Sequence, residues 1–133
     1  MSFRKEKKFK LTISEKNFLK QKLTNLGMIE LYQRRKISSI YFDTRNLDFY
    51  INSEEGVLPR KKVRIRWYNN NTEKLSKEVK ISSLEGRFKI SKKLKTKLFL
   101  NYINYQITDK DYGILKPVIL ISYFREYYKL NNL

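Results

Sequence analysis

The most regular alternation in the chain is Arg60-Lys-Lys-Val-Arg-Ile-Arg-Trp-Tyr68, where polar and apolar positions change places with a period of two. In a β-strand this puts Lys62, Arg64, Arg66 and Tyr68 on one side and Val63, Ile65 and Trp67 on the other. Residues 3–11 alternate in the same way, with Arg4, Glu6, Lys8 and Lys10 facing away from Phe9 and Leu11. Residues 37–44 and 75–81 read as further strands, the second forming a hairpin with 60–68 across the turn Asn69-Asn-Asn-Thr72. Residues 118–129 make the last strand, opened by Pro117. Helical spacing takes over at Phe18, Leu19, Leu23 and Leu26, predicting a helix capped by Ser14 and stopped by Gly27. A short helical turn is expected at 46–52, a loop around Gly56 and Pro59, a polar loop at 82–89 and a second helix at 92–105. Strands at both ends with helices between them predict one α+β domain built on an antiparallel sheet.

Charge changes this picture. Lys and Arg number 30 against 13 acidic residues, a net +17, while 41% hydrophobic and 14% aromatic residues still supply a core. The polar side of 62–68 holds three cations, Lys62, Arg64 and Arg66, and no carboxylate. Same-face neighbours on a strand stand roughly 7 Å apart and repel by about 2 kcal/mol at an effective dielectric near 20. Such a row either faces bulk water, which screens it, or holds a polyanion. Putting the strand faces together, Arg4, Glu6, Lys8, Lys10, Lys62, Arg64, Arg66, Glu78, Lys80 and Arg125 share one side of a sheet. Phe9, Leu11, Val63, Ile65, Trp67, Val79 and Ile81 lie on the other, against the helices. The chain has no cysteine and no histidine, which excludes disulfides, thiolate chemistry and His- or Cys-ligated metals. Any metal must be hard and oxygen-bound, Mg²⁺ or Mn²⁺. The longest apolar run, 118–121, is too short to span a membrane, and 1–11 lacks a signal-peptide core, so a cytoplasmic location is expected.

Five segments, in order, resemble the motifs of the VTC-type polyphosphate polymerase domain, one of the triphosphate tunnel metalloenzymes. They are Arg4-x-Glu6-x-Lys8-Phe9, Ser39-Ile-Tyr-Phe-Asp-Thr44, Lys62-Val-Arg-Ile-Arg-Trp-Tyr68, Glu78-x-Lys80 and Ser122-Tyr-Phe-Arg125-Glu-Tyr-Tyr128. The resemblance implies an antiparallel sheet forming half of a triphosphate-tunnel barrel, with helices packed outside. It implies a basic lining that holds ATP, triphosphate or polyphosphate, and transfer of the ATP γ-phosphoryl group to a polyphosphate chain with Mn²⁺ or Mg²⁺. By the same resemblance Arg4, Lys8, Lys62, Arg64, Arg66, Lys80 and Arg125 grip phosphates, and Glu6 and Glu78 lie near the metal. The family domain continues beyond the Arg125 strand. The expectation is therefore an N-terminal half, closed by a second copy or another chain, or else a binder without turnover.

Each candidate also has a plainer reading. The basic row suits a solvated outer face, Glu6 and Glu78 suit cross-strand ion pairs, and Tyr41 and Asp43 suit a structural strand end. Trp67, Tyr68, Tyr127 and Tyr128 suit core and rim, and Lys92, Lys93, Lys95 and Lys97 suit a wet helix face. The rival function is a nucleic-acid-binding or scaffold domain with a basic sheet face. Stacking, however, needs aromatics on the basic side, and in 60–68 Trp67 alternates away from it.

Overall fold

In the computed structural model, residues 5–94 and 104–131 are described. The chain divides into two compact units, Met1–Arg34 with Glu126–Leu133, and Arg35–Arg125. Its elements are α1 (Ile13–Asn25), β1 (Ile29–Asp43), α2 (Asp48–Glu55), β2 (Arg60–Tyr68), β3 (Leu75–Ser83), β4 (Gly86–Leu94), β5 (Ile107–Asp109) and β6 (Gly113–Lys129). The fold is α+β, with a six-stranded antiparallel sheet in the order β4-β3-β2-β1-β6-β5. Among the described residues no helix is long and apolar enough to cross a membrane.

The first unit is organised by α1. The helix is capped two residues before the expected Ser14, because Thr12 and Glu15 form a capping box. The Glu15 amide donates to Thr12 Oγ1 (3.1 Å) and the Thr12 amide donates to Glu15 Oε1 (3.2 Å). At the other end Gly27, with φ +102°, lets the Met28 amide reach the Leu23 carbonyl (2.9 Å) and its own amide reach Thr24 (3.0 Å). Glu126, at the end of β6, accepts from Lys16 and Lys20, one helical turn apart, at 3.3 Å each, and from the Tyr128 hydroxyl.

Residues 5–11 of the expected first strand adopt no regular secondary structure, pair with none of the described strands, and are all exposed. Phe9 is 78% exposed, so it does not join a core as the alternation suggested. Alternation decides which face a strand would bury; it does not supply the neighbour whose ladder makes it a strand.

In the second unit the sheet registers tightly. Tyr41 lies opposite Arg64, which lies opposite Glu78, which lies opposite Ser91. One step along, Phe42, Val63, Val79 and Ile90 align on the other face. That face carries the core of Ile40, Phe42, Phe49, Val63, Ile65 and Leu75, extended by Ile107 and Leu115. Helix α2 delivers Phe49 to it, and Asp43 fixes the helix start. The Asp43 carboxylate accepts from the amides of Thr44 (2.7 Å), Phe49 (3.0 Å) and Tyr50 (3.1 Å), replacing a cap that Leu47 cannot provide. Asp43 is thus a structural strand end, as its plainer reading had it.

The segment expected as a polar loop is instead the β3–β4 hairpin. Ser83 pairs with Gly86 across the two-residue turn Leu84-Glu85, and pairing runs on to Leu75 opposite Leu94. Residues 92–94 of the expected second helix therefore belong to β4; residues 95–103 lie outside those described. Alternation in Arg87-Phe-Lys-Ile-Ser91 wins over the helix-forming lysines that follow it, because each apolar residue there has a β3 neighbour on its face.

Candidate anion-binding face

The period of two in β2 places Arg64 and Arg66 on the side of the sheet away from the core, and the register decides what meets them. Arg66 lies opposite Ser39 on β1 and Ser76 on β3. Its Nε donates to Ser39 Oγ at 2.9 Å and a terminal nitrogen donates to the Tyr123 hydroxyl at 3.3 Å. A terminal nitrogen of Arg125 donates to that same phenol oxygen at 3.1 Å. One tyrosine therefore ties together two of the arginines singled out from the sequence. Arg66 is only 6% exposed, yet no carboxylate of the described residues lies within ion-pair distance of it. A buried guanidinium held by two neutral hydroxyls is an uncompensated charge, which proteins avoid unless an anion completes the site.

Arg64 sits in the neighbouring rung with different company. Its Nε donates to Glu78 Oε2 at 2.6 Å, and a terminal nitrogen donates to the Tyr41 hydroxyl at 3.1 Å. The second Glu78 oxygen faces Lys89 Nζ at 3.3 Å. Burial alone would raise the Glu78 carboxyl; the Arg64 hydrogen bond and charge, with Lys89 behind them, outweigh it and hold the group below the usual carboxylate range. For Arg64 burial acts to lower the pKa, and the bonds to Tyr41 and Glu78 more than reverse it.

The third rung is lysine throughout. Lys62 lies opposite Lys80, and Lys80 lies opposite Lys89. Like charges directly across a ladder are destabilising, and here three strands contribute one each. A cleft of about 400 Å³ adjoins this end, with Tyr41, Asp43, Tyr50, Glu54, Lys62 and Ile119 among its walls.

The structure thus assembles Lys62, Arg64, Arg66, Lys80 and Arg125 on one face. Lys8 and Glu6 belong to the first unit, both well exposed, with 3.7 Å between Lys8 Nζ and Glu6 Oε1. Arg4 lies outside the described residues. Sequence reasoning missed Lys89, Tyr123 and Ser39. Tyr123 was legible, since it shares Arg125's side of the last strand by the same period of two. Lys89 was not, because a polar loop over 82–89 assigns it to no face of a sheet.

Trp67 packs against the core, as expected from its parity. Tyr68 shares the basic side, but the Arg35 guanidinium lies over its ring at 4.1 Å. Tyr127 meets Tyr32 edge-on at 5.8 Å in the first unit. A divalent ion needs about six oxygen ligands. Among the described residues no cluster of three or more carboxylates exists, and both oxygens of Glu78 already face cations. These residues do not fit a metal cage built from protein side chains alone.

No curated protein matches the chain. One family model does, the VTC domain, over residues 3–132.

Proposed function

The chain belongs to the VTC domain family, and from that premise we propose that the basic face of β1, β2, β3, β4 and β6 holds a chain of linked phosphates. The observation that carries the reading is Arg66, buried and charged with the Ser39 and Tyr123 hydroxyls as its side-chain partners among the described residues. A phosphate oxygen beside it would supply the missing counter-charge, and the planar fork of arginine suits such an oxygen pair. The Lys62–Lys80–Lys89 rung supports a ligand bearing several charges, because one small anion touches one rung while a chain spans all three.

The finer reading follows the family likeness: transfer of the ATP γ-phosphoryl group onto polyphosphate. Phosphoryl transfer asks the protein chiefly for positioning and charge neutralisation, which arginines and lysines provide without histidine or cysteine. In this proposal Arg64, Arg66 and Arg125 hold phosphate oxygens, and Lys62 and Lys80 guide the chain. Mn²⁺ or Mg²⁺ would take its ligands mainly from the phosphate oxygens. A second chain completing the site, as a homodimer or a different partner, belongs to the same proposal.

The test compares tripolyphosphate with single-stranded DNA of equal charge. Tripolyphosphate should raise the melting temperature well above what DNA achieves, since mass action rewards only the ligand that fits. Equal stabilisation by the two would favour nucleic acid. Incubation with ATP and Mn²⁺, assayed for polyphosphate, separates a polymerase from a binder.

A further inference from the structure

Glu78 is the carboxylate directly opposite Arg64 on the neighbouring strand, and it is among the most deeply buried charged groups of the described residues, at 4% exposure. It does not counter the buried Arg66. It sits instead one rung away, with one oxygen on Arg64 Nε and the other facing Lys89 Nζ. An acceptor with two oxygens bridging cations on two different strands is what a phosphate would be in that place. The edge of the guanidinium presented by Nε is one of the two a phosphate can clasp with a pair of hydrogen bonds, and Glu78 already occupies it.

We propose that Glu78 is a resident counter-anion that sets a minimum ligand size. It keeps Arg64 and Lys89 paired when no ligand is present, and it must be displaced, or bypassed at a cost, before a phosphate can use them. Orthophosphate gains too few contacts to do this. A chain that simultaneously meets the Lys62–Lys80–Lys89 rung, Arg64 and Arg66 gains enough. The acidic residue therefore acts as a selectivity element, rejecting the small anion by competition and tolerating the long one. This rests on the phosphate reading above, and its test separates the two.

The experiment measures binding of orthophosphate and of tripolyphosphate to the full chain and to Glu78→Gln by calorimetry, with and without Mn²⁺, alongside melting temperatures. The glutamine keeps the shape and removes the charge. Expected are a lower melting temperature without ligand, at least tenfold tighter orthophosphate binding, and a smaller ratio of tripolyphosphate to orthophosphate affinity. A plain structural ion pair would lower stability and leave that ratio unchanged, overturning the proposal. Weaker binding of both anions would make Glu78 a support for the cations, and weakening confined to Mn²⁺ would make it a metal ligand; either also overturns it. If Glu78→Gln does not fold, Glu78→Asp decides: its shorter reach should loosen the bridge and give a partial gain for orthophosphate, and no gain refutes the idea. Failure of the unmodified chain to bind tripolyphosphate would instead refute the phosphate reading itself.

Discussion

Replacing Arg66 by Met should make the ligand-free protein more stable and the ligand-bound protein less so. Arg66 lies almost wholly out of water, and no carboxylate of the described residues is within ion-pair distance of it. Holding a charge there costs several kcal/mol, and an apolar side chain of similar length removes that cost. Against this, the Ser39 and Tyr123 hydroxyls each lose a donor, worth about 1 kcal/mol apiece. The balance is a gain of about 1–3 kcal/mol without ligand, seen as a melting temperature higher by roughly 3–10 °C for a chain of this size. Tripolyphosphate at about a hundred times its dissociation constant should add about 2.7 kcal/mol to the native protein, and Arg66→Met should lose most of that shift. The order of the two melting temperatures therefore narrows or inverts when ligand is added. Lys61→Met is the control. It also removes one cation, but Lys61 bridges Asp109 (3.3 Å) and Asp111 (3.0 Å) instead of facing Arg66's rung. It should lower stability and leave the tripolyphosphate shift in place. A ligand-free Arg66→Met protein that melts well below the unaltered chain would refute the reasoning, because the guanidinium would then be a structural group whose hydroxyl bonds outweigh its burial.

Two further outcomes follow from the supports of the two units. Asp43→Ala removes the acceptor of three amides at the start of α2 and should cost about 2 kcal/mol, with faster amide exchange at Phe49 and Tyr50 as the local signature. Glu126 is held down to about 2 from its ordinary 4.5 by the Tyr128 hydrogen bond first and the Lys20 bond next. Because its folded pKa is depressed, the stability it contributes is complete above pH 4.5 and drains away as pH falls toward 2. Urea midpoints followed from pH 6 to pH 2 should fall more steeply in the native chain than in Glu126→Gln; parallel curves would remove Glu126 from the account.

The sequence made β2 legible, Arg60 to Tyr68, because alternation is strict from Lys62 onward and separates cations from apolar residues. Helix α1 was legible from its apolar spacing, and only its cap was misplaced, since Ser14 and Thr12 are both competent and Glu15 decides between them. The first expected strand failed for lack of a pairing partner. β4 was hidden because its turn, Leu84-Glu85, carries no residue that marks a hairpin in the usual way. Chemical faces could be read residue by residue, so Arg64, Arg66, Lys62, Lys80 and Arg125 were placed together. Register could not, and register is what sets Lys62 opposite Lys80, Glu78 between Arg64 and Lys89, and Tyr123 between Arg66 and Arg125.

Among the described strands β4 is the outermost at its end of the sheet, and it bears lysine on both faces, Lys89 and Lys93 on one and Lys92 on the other. An outer strand is a template onto which a second molecule can zip, and lysine is a common guard against it. Here the guard is made of mobile-ion chemistry, since its strength depends on what surrounds it. In dilute salt the molecules hold each other off; a long polyanion laid along Lys89 and Lys93 would neutralise two of these three lysines. Under the phosphate reading proposed above, loading would couple to solubility through this one strand, and the loaded protein is the one to watch for self-association as its concentration rises.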